Sequence, residues 1–210
     1  MLLQDNRINL VFQVAEQPAF PPAALPVIAY DDHMSCHFNG QQIDLFHYSE
    51  AHTTGDTAVI FRGDNAVHLG DVFNNSGYPL IDADNGGSLP GLIHFCEALL
   101  AEIDSGTVVI PSHGAVAGYE RLQDCVETLS IIRDRIAALI DDGASLDEVI
   151  AARPTADFDA SWGLFCRTRS RASCRCTGKI WPATKPVMAI GFARWPLRKH
   201  CVDRAMVMRC

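Results

Sequence analysis

The sequence predicts an α+β domain in which a sheet packs against helices. Between residues 26 and 69, short β-branched and apolar segments alternate with tight turns, and after residue 88 the apolar residues recur at helical spacing. Strands therefore come first, followed by a helix, one more strand and further helices, an order typical of a sheet covered by helices. With 210 residues, 48% hydrophobic and 20% charged, the chain has the composition of a globular protein with one sizeable core.

Four strands are predicted in the first half of the chain, at residues 27–30, 43–48, 57–61 and 66–69. Turns separate them at Asn39-Gly40, at residues 52–55 and at residues 63–65. Residues 1–26 are loosely patterned and rich in proline. We therefore expect a poorly anchored start.

Helices dominate the second half of the predicted domain. Ser88 is placed to cap a helix over residues 89–104, and a β-branched strand follows at residues 107–110. A longer helix is predicted over residues 119–142, where an apolar stripe ends at a glycine. Ser145 and Glu148 have the spacing of a capping box, which predicts a last short helix.

Three turns carry the candidate chemistry, each placed straight after a strand and each containing glycine. They hold His52, Asp71 and His113. Taken singly, each is more simply explained as a polar residue at a strand end. Together, imidazole and carboxylate groups suit zinc, and bound zinc lowers the pKa of a water to about 7. The three turns therefore predict a metal site suited to hydrolysis.

These turns resemble the later metal motifs of the metallo-β-lactamase superfamily. The matching stretches are His-Thr-x-Gly-Asp at 52–56, Gly-Asp-Val-Phe at 70–73 and Ser-His-Gly at 112–114. The likeness runs from about Ala24 to Gly163 and includes Tyr78-Pro79 and the Gly-Gly-Ser stretch that ends at Ser88. It implies an αββα sandwich, N-terminally truncated, within a partial domain at residues 1–163.

The resemblance also implies the roles of the site residues. His52 would ligate one zinc and His113 a second, while Asp71 would bridge the two and act as the catalytic residue. Thr53 and Asp56 would support the turn around the ligands. One or two zinc ions are expected, with metal-bound hydroxide attacking an ester, thioester, amide or lactam carbonyl of a small-molecule substrate.

The chain departs from the family at its first metal motif, His-x-His-x-Asp-His, which has no counterpart before His52. His33, His37 and His47 fall elsewhere in the strand order and are predicted to be surface or strand-edge residues. The departure predicts weak metal binding and impaired hydrolysis. The alternative is a non-catalytic truncated fragment or a partner-binding module, with self-association through an exposed sheet.

Residues 164–210 differ in composition from the rest. They hold 11 of the 17 basic residues and one of the 25 acidic ones, together with five of the eight cysteines. We interpret this basic, Cys-rich tail as frame-shifted or disordered, and Met1 as a start inside a longer coding sequence. Two other interpretations remain open. One is a nucleic-acid surface of arginines, Lys179, Trp181 and Trp195, and the other is a metal knuckle of Cys174, Cys176, His200 and Cys201.

Location and partners follow from what the sequence contains. It has no apolar run long enough to cross a bilayer and no basic segment followed by an apolar stretch at its start. We therefore expect no membrane partner, no signal sequence and a cytoplasmic location for the chain as written, although proteins of the resembled family are often exported. Nucleic acid is an open alternative for the tail and not the expected partner of the chain.

Overall fold

A computed structural model of the protein describes residues 5–9, 14–163, 187–190 and 206–209. The strands are β1 (Asn6–Asn9), β2 (Val14–Gln17), β3 (His33–Phe38), β4 (Gln41–Phe46), β5 (Ala58–Phe61), β6 (Ala66–His68), β7 (Val108–Ile110), β8 (Ala117–Gly118), β9 (Val187–Ile190) and β10 (Met206–Arg209). The helices are α1 (Leu89–Leu100), α2 (Tyr119–Asp141), α3 (Leu146–Ala152) and α4 (Asp159–Trp162).

The principal sheet has six strands in the order β3-β4-β5-β6-β7-β8. All neighbours pair antiparallel except β6 and β7, which run parallel because α1 and its flanking loops carry the chain between them. The sheet is therefore mixed, and the predicted α+β class is confirmed. Two further pairs of antiparallel strands, β1-β2 and β9-β10, complete the described strands.

The strand predicted at residues 27–30 is wrong. Val27 and Ile28 are 98% and 66% exposed, and the strand of this region is β3, six residues further on. The Asn39-Gly40 turn explains the register, because both residues adopt left-handed φ angles, 52° and 76°, as a two-residue hairpin turn requires. The turn pairs Phe38 with Gln41 and so fixes the strand on each side of it.

The core lies between one face of the sheet and helices α1 and α2. It includes Val67 and Val109 from neighbouring strands, and its large, fully buried members include Phe73, Tyr78, Phe95, Leu92, Leu122 and Leu129. Burying each such side chain contributes about 1.5–3 kcal/mol relative to leaving it exposed. The predicted helices are confirmed, although α1 ends at Leu100 and not at residue 104.

The last helices anchor the C-terminal end of the domain. The predicted capping box of α3 is present, with Ser145 and Glu148 satisfying each other's backbone N–H groups. Helix α4 buries Trp162, whose carbonyl accepts a hydrogen bond from the backbone N–H of Tyr78 at 2.7 Å. None of the helices in the described part of the chain is both long and apolar enough to cross a membrane.

Most of the tail predictions fall outside the described residues. Within residues 164–210 only strands β9 and β10 are described, and they pair antiparallel. The residues named for a nucleic-acid surface and for a metal knuckle all lie outside the described ranges. Of the three cysteines in the domain, Cys96 and Cys125 are buried and Cys36 is half-buried.

Candidate functional site

The turn that carries His52 is closed by the carboxylate of Asp56. Its Oδ2 accepts hydrogen bonds from the backbone N–H groups of Thr53, at 2.7 Å, and Ala51, at 3.2 Å. Burial raises the pKa of Asp56 above its usual value, and the bonds from Thr53 and Ala51 act against that rise. Asp56 and Thr53 thus make hydrogen bonds within the turn that carries His52.

The ring of His52 is held in one orientation by a backbone carbonyl. Its Nδ1 lies 2.8 Å from the carbonyl oxygen of Leu80, and because a carbonyl can only accept, Nδ1 is the protonated nitrogen. In the neutral ring, the lone pair is then on the other nitrogen, Nε2. It lies 3.8 Å from Oδ2 of Asp71.

Asp71 follows β6, in a short 3-10 helix at Gly70–Val72. Gly70 has a left-handed φ of 52°, and its carbonyl accepts a hydrogen bond from the N–H of Ser112 at 3.1 Å. Because β6 and β7 are parallel, the loops that follow them leave the same edge of the sheet. The turns that hold Asp71 and His113 therefore meet, although they are distant in the sequence. Oδ1 of Asp71 lies 3.4 Å from Nε2 of His113.

The loop around His113 is held by Asn75. The backbone N–H of Asn75 donates to the carbonyl of His113 at 2.9 Å, and its side-chain Nδ2 donates to the carbonyl of Ala115 at 2.8 Å. Gly114 has a left-handed φ of 96° and packs directly on the backbone of Asn75. The His113 loop is therefore fixed by contacts to a second loop as well as by β7.

The three sequence-predicted ligand residues are thus brought together around one carboxylate. Exposure rises across the group, since the side chain of His52 is 16% exposed, that of Asp71 46% and that of His113 65%. Within the described ranges, no group of three or more His, Cys, Asp or Glu residues is arranged to hold a single metal ion. The donor types suit zinc, and each of the two histidines faces one oxygen of Asp71.

Three further histidines of the described residues, His33, His37 and His47, form no ion pair with this carboxylate. His33 and His37 are exposed on the edge strand β3, as predicted. His47 is half-buried, and its Nδ1 lies 2.8 Å from the carbonyl of Asp56, so it supports the His52 turn. Sequence reasoning missed Asn75 and Leu80, because each acts on a ligand through a contact between loops distant in sequence.

No family model matches the chain, and no curated protein matches it. Solved structures do. A metallo-β-lactamase from Pontibacter korlensis is 18% identical with a TM-score of 0.45, over 50% of this chain and 49% of that one. A double mutant of the sec-alkyl sulfatase PisA1 is 16% identical with a TM-score of 0.50, over 61% of this chain and 22% of that one.

A third similar structure is the stereoselective inverting sec-alkylsulfatase Pisa1 from Pseudomonas sp., 15% identical with a TM-score of 0.48, over 60% of this chain and 21% of that one. The chain spans about half the length of the first protein and about a fifth of the sulfatases. At these identities the likeness concerns the fold alone. Over 61% of this chain, the fold is the metallo-β-lactamase-like fold shared with the sec-alkyl sulfatase.

Proposed function

We propose that this protein is a zinc-dependent hydrolase of the metallo-β-lactamase kind, with His52, Asp71 and His113 as its metal ligands. One observation carries the proposal. Two imidazole Nε2 atoms face different oxygens of the same carboxylate, at 3.8 and 3.4 Å. In this arrangement, each histidine would share a metal ion with one oxygen of Asp71.

The residues themselves are suited to these roles. The bond from Nδ1 of His52 to the Leu80 carbonyl keeps the lone pair on Nε2, which is the form of histidine that binds a metal. Asp71 offers both oxygens, and His113 lies on the more exposed side of the group, where a substrate has access. Bound zinc supplies Lewis acidity and a hydroxide at neutral pH.

We expect the ligand set to bind zinc weakly. Catalytic zinc commonly has three protein ligands, whereas each ion would here have one histidine and one Asp71 oxygen from the described residues. Weak binding makes hydrolysis dependent on the zinc concentration. The substrates proposed are an ester, a thioester, an amide or a lactam, in each of which hydroxide attacks a carbonyl carbon.

The first experiment measures zinc bound by the purified chain with an indicator competition assay, in wild type and in Asp71→Asn. The exposed Asp124→Asn is the control, since Asp124 lies on the surface of α2. We expect one to two zinc ions in the wild type and the control, and substoichiometric zinc in Asp71→Asn. Equal zinc in all three would overturn the assignment of the ligands.

The second experiment tests hydrolysis with zinc in excess, on one chromogenic ester, one thioester, one amide and one lactam. Zinc-dependent hydrolysis that Asp71→Asn abolishes supports the enzyme. Zinc binding without hydrolysis of any of the four substrates contradicts the proposed activity. If the chain neither binds zinc nor hydrolyses any of the four substrates, the result favours the alternative, a partner-binding module without catalysis.

A further inference from the structure

We propose that residues 80–91 form a cradle that positions His52, and that Gly87 is the positioning residue within it. The cradle is the segment between the Leu80 carbonyl and the first turn of α1. The value of this positioning for metal binding rests on the proposed function. The contacts that carry it do not involve a metal, so it is testable separately.

Four hydrogen bonds join the cradle to the segment 49–52. They run from the backbone N–H of Asp82 to the His52 carbonyl at 2.9 Å, from the N–H of Ser88 to the Ala51 carbonyl at 2.9 Å, from the Ser49 hydroxyl to the Gly91 carbonyl at 2.8 Å and from Nδ1 of His52 to the Leu80 carbonyl at 2.8 Å. Both the backbone and the ring of His52 are therefore held by the same short segment.

The two backbones approach so closely that side chains are excluded between them. A Cβ added at Gly87 would overlap the carbonyl oxygen of His52, and one at Gly91 would overlap the carbonyl oxygen of Glu50. Neither glycine has a left-handed φ, so space and not backbone conformation requires glycine at both positions. The sequence signal was the Gly86-Gly87-Ser88 stretch, since adjacent glycines often mark a close backbone approach.

Hydrogen bonds within the cradle hold its own conformation. The buried carboxylate of Asp82 accepts hydrogen bonds from Asn85, from the backbone N–H at 3.3 Å and from Nδ2 at 2.6 Å. Ser88 accepts from the N–H of Gly91 at 3.0 Å and so caps α1. These bonds hold the two ends of the segment, the kind of support that keeps a functional side chain in place.

A methyl group at position 87 would push the His52 backbone away from the cradle, and the Nδ1 bond to the Leu80 carbonyl would be lost with it. Without that bond the proton is free to move to Nε2. A ring protonated at Nε2 has no lone pair facing Asp71 and does not ligate a metal there. Gly87 thus acts on the ligand through the ring's tautomer.

The test compares Gly87→Ala with Gly55→Ala. Gly55 lies in the same turn as His52, has no atom within 4 Å of an added Cβ and has no left-handed φ, which makes it a matched control. Imidazole ¹⁵N NMR of the metal-free protein at about pH 8.5, where an ordinary imidazole is neutral, reports the tautomer. We expect the Nδ1–H form in the wild type and in Gly55→Ala, and the Nε2–H form or a mixture in Gly87→Ala.

Zinc affinity is the second readout, with an expected loss of about 10- to 100-fold in Gly87→Ala and none in Gly55→Ala. If Gly87→Ala does not fold, Ser49→Ala replaces it, because it removes one bond to the cradle and leaves the packing intact. A mixed tautomer is then expected. A folded Gly87→Ala or Ser49→Ala that keeps the pure Nδ1–H form overturns the inference.

The outcomes separate the two proposals. If the wild-type ring is not in the Nδ1–H form, the cradle inference fails whatever the zinc result. If the tautomers behave as expected and the wild type binds no zinc, the proposed function fails and the cradle inference stands.

Discussion

The guanidinium carbon of Arg121 lies 3.5 Å from the ring centroid of Trp162, stacked on the indole. The Nε of Arg121 also donates to Oδ1 of Asn75 at 3.0 Å, and Asn75 holds the backbone of His113 and Ala115. A buried aromatic residue of α4 is thereby connected, through the first turn of α2, to the loop that carries His113. A continuous series of contacts therefore runs from α4 to the loop of the candidate site.

Arg121→Ala removes both the stack on Trp162 and the bond to Asn75. We expect the free energy of unfolding to fall by about 1–3 kcal/mol, because a desolvated cation–π contact and a charged hydrogen bond are lost together. Denaturant unfolding measures it. Arg133→Ala, on the same helix, is the control, since Arg133 pairs with its exposed neighbour Asp134. Equal losses in the two variants would contradict the link.

Two glycines with left-handed φ angles separate the effect of space from that of backbone conformation. Gly114 has φ 96° and an added Cβ would lie 2.6 Å from the carbonyl carbon of Asn75, whereas Gly143 has φ 84° and open space. We expect Gly143→Ala to cost about 1 kcal/mol, for conformation alone, and Gly114→Ala clearly more. Thermal unfolding of both variants is the measurement. Similar melting temperatures would show that the His113 loop does not depend on close packing against Asn75.

Helix periodicity made α1 and α2 predictable, because each buries one continuous stripe against the sheet. Strand β3 was missed although Met34 and Cys36 alternate with polar residues, because the alternation is short and none of its residues is buried. The apolar run at residues 27–30 was assigned instead, although Val27 finds no partner there and is 98% exposed. Propensity alone does not show whether a neighbouring strand is present.

The sequence predicted the candidate ligand residues but not the groups that hold them in place. His52, Asp71 and His113 each follow a strand in a glycine-bearing turn, a local pattern that a sequence displays. The Leu80 carbonyl and Asn75 have no such mark, because their roles come from distances between loops. Whether these three residues bind zinc stays a prediction.

The capping box of α3 offers a local stability test. Ser145 accepts the N–H of Glu148, whose carboxylate accepts the N–H of Ser145 at 2.8 Å. We expect Ser145→Ala to cost about 1 kcal/mol and Ser145→Gly only a few tenths, because glycine is tolerated at this position. Hydrogen exchange across α3 measures the difference. Equal protection in the wild type and Ser145→Ala would mean that packing of Val149 alone holds the helix.

The buried carboxylate of Asp44 makes the stability of the fold depend on pH. Its side chain is 5% exposed and accepts hydrogen bonds from Ser35 and from Arg62, each at 2.7 Å. Burial alone raises the pKa of Asp44, but the bonds from Ser35, Arg62 and Gln42 outweigh burial and hold the pKa well below its usual range. The folded state therefore binds this proton less tightly than the unfolded chain does.

The lower proton affinity of the folded state determines how the stability changes with pH. A carboxylate with a depressed pKa contributes stability that is fully present above its unfolded value, about pH 4, and is lost as the pH falls toward the folded value. Asp44→Asn removes the charge that Arg62 pairs with, and we expect a loss of about 2 kcal/mol at neutral pH. The gap between wild type and variant should narrow as the pH falls below about 4, because the unfolded wild-type chain then binds a proton at Asp44 that the folded state binds only at lower pH. Urea unfolding at several pH values measures the difference in free energy of unfolding between wild type and Asp44→Asn. The exposed Asp124→Asn is the control. A difference that stays constant down to about pH 2 would show that Asp44 stabilises the sheet by shape and not by charge.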